Sequence, residues 1–128
     1  MIYLSTPVYN VGTSVVDWVE YTYTHNTVQQ FVSRAVRAGY PVVCPWLYFS
    51  GLDEDIYYSS EDWIKYVIPF LLTAEKLWVL TLPEYQKSVR VASEIAVAKD
   101  LAMDIHYVNQ YAALYRTDGD NKDRLYAG

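Results

Sequence analysis

The fold is decided by residues 77–98, which run Leu-Trp-Val-Leu-Thr-Leu-Pro-Glu-Tyr-Gln-Lys-Ser-Val-Arg-Val-Ala-Ser-Glu-Ile-Ala-Val-Ala. Residues 77–82 are apolar or β-favouring and predict a buried strand, and the Pro-Glu pair that follows predicts a tight loop. Small and apolar side chains then recur at spacings of three and four, which predicts a helix over residues 88–101. A buried strand that leads through a tight loop into a helix is typical of an α/β fold.

One side chain of that helix, Glu94, is poorly explained by helix stability. It shares a face with Val91 and Ala98, which belong to the predicted core stripe. It also lies beyond the first turn after the predicted N-cap, Ser88, where the helix dipole no longer stabilises a carboxylate. Two interpretations stay open: Glu94 is a solvated residue of the helix flank, paired with Arg90 one turn earlier, or it belongs to a functional site.

Strands alternate with helices along the rest of the chain. The sequence predicts strands at residues 1–5, 40–44 and 105–108, helices at 25–38 and from Ser59 or Ser60 to residue 74, and a short helix at 111–115. Residues 9–24 are predicted to form a loop or lid, and residues 46–59 a long connection rich in aromatic and acidic side chains. Pro69 is expected to kink or restart the helix that contains it.

This alternation predicts right-handed βαβ units. We therefore expect one α/β domain over residues 1–116, a Rossmann-like or flavodoxin-like three-layer arrangement with a mostly parallel sheet of four or five strands. Residues 117–128 are expected to form a polar tail. Ligands of such domains bind at the carboxyl ends of the strands, which places the expected site beside residues 5–7, 45–46 and 82–84.

The composition argues against several classes of function. The chain has 128 residues, a net charge of -5 and no basic stripe, so a nucleic-acid polymer is not an expected partner. The single cysteine, Cys44, rules out an intrachain disulfide and is predicted to be a buried core residue. Neither His25 nor His106 has Cys, Asp or Glu at ligand spacing, so we expect no metal site and no cofactor. Without a signal-like or membrane-spanning segment, we expect a cytoplasmic protein that does not contact a membrane.

Four segments carry a resemblance to a known family: residues 2–7, 39–45, 69–83 and 88–95. Together they resemble the nucleoside 2-deoxyribosyltransferase-like superfamily, and most closely a small branch of unknown function that is common in phages and bacteria. The resemblance covers roughly residues 1–108, with the segments at 9–24 and 46–60 unmatched. If a phage encodes the chain, the expected location is the host cytoplasm.

The resemblance implies an enzyme that cleaves the bond between base and sugar of a nucleoside or nucleotide, by hydrolysis or by transfer to another base. It implies that Glu94 is the nucleophile that attacks the anomeric carbon, as the carboxylate of a retaining glycosidase does. It also implies that Tyr3, on the first strand, hydrogen-bonds to that carboxylate and orients it.

The resemblance also implies a set of substrate-binding residues. Ser88 and the amides at the helix N-terminus would hold a hydroxyl or a 5′-phosphate. The aromatic loop from Trp46 to Tyr58 would stack on the base, and Ser5 and Pro7 would line the site at the end of the first strand. Arg90 could bind a phosphate, fill the sugar pocket or pair with the carboxylate.

Two positions depart from the family pattern. Arg90 stands where the family commonly has glycine, and Val67 stands where it tends to have an aspartate that would protonate the leaving base. The alternatives are therefore a catalytically inactive nucleotide-binding protein that uses the same pocket, or an oligomeric interaction domain whose interface is built from some of the 14 tyrosines. The resemblance implies a homodimer or a higher homo-oligomer.

Overall fold

The computed structural model of this chain describes residues 1–7, 15–49 and 60–112. The strands within these ranges are β1 (Ile2–Ser5), β2 (Val42–Val43), β3 (Lys76–Leu80) and β4 (Asp104–Val108). The helices are α1 (Val15–Arg37), α2 (Pro45–Phe49), α3 (Ser60–Thr73) and α4 (Val89–Asp100), and a short 3-10 helix, Tyr85–Lys87, precedes α4.

The four strands form one all-parallel sheet in the order β2-β1-β3-β4. The register pairs Tyr3 with Leu77 and Leu4 with Trp78. Because side chains alternate along a strand, Tyr3 and Ser5 lie on one face of the sheet and Leu4 and Trp78 on the other. The predicted α/β fold with a parallel sheet is confirmed.

The helices cover both faces of this sheet. On the Leu4 face, Phe31 of α1 packs edge-on against Trp78, with 6.4 Å between ring centroids. On the opposite face, Glu94 of α4 contacts Tyr3, and α3 packs beside α4. Strand β2 lies on one side of β1 in the sheet, and β3 and β4 lie on its other side. Because the crossovers between parallel strands are right-handed, α1 lies on one face of the sheet and α3 and α4 lie on the opposite face. Such a reversal of the strand order beside β1 marks where ligands bind in open α/β sheets.

Helix α3 shows how a proline is tolerated inside a helix. Its buried stripe is Trp63, Val67 and Leu71, at spacings of four, and Pro69 lies on the exposed side. Water can satisfy the carbonyl that loses its N–H partner there, so the helix continues through the proline to Thr73 rather than restarting.

Two predictions about local structure were wrong. Residues 15–24 belong to α1 and are not a loop. Their β-branched and aromatic residues disfavour a helix by only a few tenths of a kcal/mol each, which the packing of Val28 and Phe31 in the same helix outweighs. Residues 45–49 form α2 at the start of the predicted connection, with Pro45 at its first position, where proline is favoured.

One predicted strand is present with shifted bounds, and several other predictions concern residues that the structure does not describe. The strand predicted at residues 40–44 is reduced to Val42–Val43. Residues 9–14 of the predicted lid, residues 50–59 of the predicted connection, residues 113–115 of the predicted short helix and the polar tail lie outside the described residues. Among the helices that the structure describes, none has the length and apolarity needed to cross a bilayer.

Candidate functional site

Glu94 is buried, with 2% of its surface exposed, and its carboxylate is held by two hydroxyl groups of β1. The Tyr3 hydroxyl donates a hydrogen bond to Oε2, and the Ser5 hydroxyl donates one to Oε1 at 2.8 Å. Tyr3 and Ser5 can both reach it because they are two residues apart and therefore point to the same face. The interpretation of Glu94 as a solvated residue of the helix flank is wrong.

The turn between β3 and α4 places Glu94 at this position. Glu84 adopts a left-handed backbone conformation, with φ of 64°, which reverses the chain directly after the strand. Ser88 then caps α4, since its side-chain oxygen accepts a hydrogen bond from the Val91 amide at 3.3 Å. The carboxylate therefore lies in the second turn of the helix, beside the carboxyl end of β1. The exposed ion pair between Lys87 and Glu84, at 3.3 Å, contributes little to this arrangement.

Burial changes the acidity of this carboxyl group. Desolvation raises the pKa of Glu94 from its ordinary 4.5 to about 7, because a charge is disfavoured away from water. The hydrogen bonds from Tyr3 and Ser5 lower the pKa, as do the indole N–H of Trp63 and the charge of Arg90, in that order of effect. Protonated and ionised forms are thus both populated near neutral pH, which suits a group that must take part in chemistry.

The two acidic groups near the Glu94 carboxylate, the Tyr3 phenol and the Cys44 thiol, stay neutral at neutral pH. Burial, followed by the charge of Glu94, raises the pKa of the Tyr3 phenol well above its usual range, so Tyr3 remains a hydrogen-bond donor. Burial also raises the pKa of the Cys44 thiol to about 12, and the charge of Glu94 adds to this effect. Cys44 is buried, as predicted, and its thiol is not a nucleophile at neutral pH.

Arg90 of α4 and Trp63 of α3 contact each other where these two helices pack together. The Arg90 guanidinium carbon lies 4.9 Å from the centre of the Trp63 ring, the geometry of a cation–π contact. Trp63 lies in the buried stripe of α3, where it is 2% exposed. Its effect on the pKa of Glu94 does not follow from the sequence, because apolar periodicity identifies a buried indole but not the groups near it.

The structure places the other predicted site residues as follows. Ser5 hydrogen-bonds to Glu94, so it orients the carboxylate. Ser88 is the N-cap of α4, as predicted. Trp46 is buried in α2, and its ring packs edge-on against His25 with 5.6 Å between centroids. Pro7 is buried and closes the first described range. Substrate contacts by these residues stay predictions.

A surface pocket of about 270 Å³ lies elsewhere, along α1. Its lining is polar and comes from α1 and the turn after β4: Tyr23, Asn26, Thr27, Gln30, Arg34, Gln110 and Tyr111. Arg34, the cation of this lining, donates a hydrogen bond to the Gln110 carbonyl and is already used there. The Glu94 site combines a buried charge, two donors and a shifted pKa, so it is the stronger candidate for chemistry.

Within residues 1–7, 15–49 and 60–112, no three His, Cys, Asp or Glu side chains are grouped as metal ligands would be. A scan against protein-family models and a search of curated proteins found no match to this chain.

Proposed function

We propose that the protein cleaves the N-glycosidic bond of a nucleoside or nucleotide, with Glu94 as the nucleophile and Tyr3 as the residue that orients it. The observation that carries this proposal is the buried Glu94 carboxylate, held by two hydroxyls beside the carboxyl ends of parallel strands. Burying a carboxylate is costly, and a costly group at the place where α/β domains bind ligands is best explained by a chemical task.

The reaction would proceed in two displacements. A Glu94 oxygen bonds to C1′ of the sugar while the bond from C1′ to the base nitrogen breaks, and the base leaves with the electron pair and takes up a proton. Water then attacks C1′, loses a proton and releases the sugar, which regenerates the carboxylate. A second base in place of water would give transfer instead of hydrolysis.

The two hydroxyl donors suit the first displacement. They fix both oxygens of the carboxylate, so the direction of attack is set before the substrate arrives. Because Glu94 attacks only when ionised and its pKa lies near 7, the rate of base release should rise with pH through that region.

Binding without cleavage is the second candidate, and Val67 favours it. This side chain is fully buried in α3, at the position where the resembled family tends to carry an acid. An apolar residue there cannot protonate a leaving base. The same site could then hold a nucleotide-like ligand whose glycosidic bond stays intact.

The experiment that separates the two candidates is a base-release assay. The purified protein is incubated with 2′-deoxynucleosides and with their 5′-monophosphates, and free base is measured by chromatography. Glu94→Gln should abolish release, whereas Asp100→Asn, an exposed carboxylate at the far end of the same helix, should not change it. Absence of release from every substrate, together with a ligand-dependent rise in Tm, would support binding alone.

We also propose that the protein forms a homodimer or a higher homo-oligomer. Several tyrosines are exposed by more than 40%, an excess of aromatic surface that is common at interfaces: Tyr23, Tyr48, Tyr66, Tyr107 and Tyr111. Light scattering of the purified protein measures its mass in solution, and a monomer at working concentration would refute this part of the proposal. If the protein oligomerises but neither cleaves nor binds nucleosides, it is an interaction domain.

A further inference from the structure

The polar pocket along α1 is a second candidate site, and no part of the proposed reaction uses it. Its volume of about 270 Å³ is near the lower end of the range of small-molecule sites, about 300–1,000 Å³. One wall is a face of α1, whose lining residues recur at spacings of three and four, and the other is the turn after β4. The walls consist of Tyr23, Asn26, Thr27, Gln30 and Arg34 on α1, and of Gln110 and Tyr111 on the turn.

The lining combines one cation with several neutral hydrogen-bonding groups. Arg34 is the cation, and the hydroxyl and amide side chains around it can all donate hydrogen bonds. Within the described residues, the lining contains neither Asp nor Glu, although the whole chain has a net charge of -5. The pocket therefore differs in charge from the chain as a whole, and its chemistry favours a negatively charged ligand.

Two contacts hold the Arg34 guanidinium at the wall of the pocket. Its Nη2 donates a hydrogen bond to the Gln110 carbonyl, and its central carbon lies 5.7 Å from the centre of the Phe31 ring, within the range of a cation–π contact. Phe31 is fully buried, so this ring is itself fixed in the core. The bond to Gln110 takes one of the five N–H groups of a guanidinium, and the others can serve a ligand. An arginine that is already held loses less conformational entropy when a ligand binds.

The turn that forms the other wall is held as well. The Asn109 side-chain oxygen accepts a hydrogen bond from the Tyr111 amide at 2.7 Å, and the Asn109 carbonyl accepts one from the Ala112 amide at 3.0 Å. Ala112 is buried, which anchors the end of the turn. Both walls are thus held by contacts within the protein, as is usual for a binding site that is formed before its ligand arrives.

We propose that this pocket binds a small organic anion, and that Arg34 pairs with its carboxylate or phosphate group. The planar guanidinium matches the oxygens of such groups, and charge-assisted hydrogen bonds are the strong ones. The amide and hydroxyl side chains around Arg34 would bind the polar substituents of the same molecule. A neutral ligand of the same size would leave the guanidinium charge without a partner.

This site is separate from the one that carries the proposed reaction. Helix α1 packs on the sheet face of Trp78, through Phe31, whereas Glu94 contacts Tyr3 on the opposite face. Anion binding at Arg34 and base release at Glu94 can therefore be tested independently.

The test is an NMR titration with two anionic probes, succinate and glycerol 3-phosphate, and with glycerol as the neutral probe. The Arg34 Nε–H signal is assigned by its loss in Arg34→Gln. We expect a saturable shift of this signal with at least one anion, and the comparison of the two anions tells whether carboxylate or phosphate is preferred. No saturable shift with either anion, or an equal shift with glycerol, would overturn the proposal.

Arg37 provides a matched control, because it is an exposed arginine in the last turn of the same helix and does not line the pocket. Arg34→Gln should weaken anion binding at least about tenfold, whereas Arg37→Gln should change it by less than about threefold. An equal loss in both variants would mean that the anion responds only to overall charge, and the site would be refuted.

A second variant leaves Arg34 and its contacts in place. Gln30 is an exposed residue of α1, and alanine is a better helix former, so Gln30→Ala should fold. It removes one neutral hydrogen bond to the ligand and should weaken binding by roughly two- to tenfold. Unchanged affinity in both Gln30→Ala and Arg34→Gln would place the anion elsewhere and end the inference.

Glu94→Gln separates this inference from the proposed reaction. The variant should bind the anion with the affinity of the wild type. If binding depends on Glu94 and not on Arg34, the anion occupies the proposed active site and the inference fails. If the anion binds at Arg34 and no nucleoside releases its base, the proposed reaction fails and the anion site stands.

Discussion

Replacing Glu94 by glutamine should stabilise the protein at alkaline pH and abolish a pH dependence that the wild type shows. Glutamine has nearly the same shape as glutamate but never ionises. In the folded wild type, burial raises the pKa of Glu94 to about 7, above its ordinary 4.5, so the native state retains a proton that the unfolded chain has lost. A carboxyl group with a raised native pKa stabilises the protein fully below pH 4.5, and this stabilisation is lost as the pH rises through 7.

The size of the effect follows from the two pKa values. A rise from 4.5 to about 7 corresponds to about 3 kcal/mol of unfolding free energy lost between pH 4 and pH 8. Glu94 is fully buried, so solvent screening does not reduce this figure much. For a domain of this length, 3 kcal/mol corresponds to roughly 10 °C in Tm.

The assay is thermal or urea unfolding of wild type and Glu94→Gln in parallel, at half-unit steps between about pH 3.5 and about pH 8.5. Other groups also titrate in this range, but they are common to both proteins, so the difference between the two isolates residue 94. We expect the two curves to diverge mainly between pH 4.5 and pH 7, the variant to gain about 3 kcal/mol relative to wild type between pH 4 and pH 8, and the curves to run parallel above about pH 8. A constant difference would refute the reasoning from burial, and a difference of opposite sign would mean that the two hydroxyl donors outweigh desolvation.

Three further substitutions, the first with a control variant, test parts of the scaffold by chemical or thermal unfolding. Ser88→Ala removes the N-cap of α4 and should cost about 1 kcal/mol, whereas Ser93→Ala, whose hydroxyl donates back to the Val89 carbonyl, should change stability by less than about 0.5 kcal/mol. Val67→Asp places an unpaired charge in a fully buried position of α3 and should cost at least about 3 kcal/mol at pH 8 and less at pH 4. Tyr40→Phe removes a buried hydroxyl that has no hydrogen-bond partner among the described residues, so stability should be unchanged or rise by about 1 kcal/mol.

The segment from β3 to α4 could be predicted from sequence because its signals are local. Ser88 is a strong N-cap residue, the apolar spacing repeats over the following turns, and α4 ends at Asp100, one residue from the predicted end. The parallel sheet follows from the alternation of such strands and helices and needs no information about particular contacts.

The burial of Glu94 could not be decided from its own helix. The residue spacing along α4 places Glu94 beside the core stripe, but it does not indicate whether the sheet carries hydrogen-bond donors at that position. Its partners Tyr3 and Ser5 are about 90 residues earlier in the chain and reach it only because the parallel sheet places β1 under α4. The resemblance implies the hydrogen bond from Tyr3 but not the one from Ser5, and contact of Ser5 with a substrate stays a prediction.

The prediction for the start of α1 was wrong for the opposite reason, because the local sequence of residues 15–24 favours a structure other than a helix. Residues 15–24 are rich in valine, tyrosine and threonine, which disfavour helices in isolation. In the folded chain the helix is set by the later part of α1, where Val28, Phe31 and Ala35 are fully buried, and elongation from that part is cheaper than starting a new element.

Val67 leads to a prediction about which substrates would react. If Glu94 attacks while the position of the usual acid is apolar and buried, the leaving base has to depart with little help from the protein at that point. The rate should then depend steeply on the acidity of the base, since a poor leaving group is not compensated by proton donation.

Single-turnover rates over a series of 2′-deoxynucleosides, plotted against the pKa of the free base, measure this dependence. An acid acting at another position would flatten the plot, and the explanation based on Val67 would then be wrong. A steep slope together with loss of release in Glu94→Gln would mean that Glu94 is the nucleophile and that the base departs with little proton donation from the protein. The Glu94 site would then be a glycosidase site that works only on bases able to leave as stable anions.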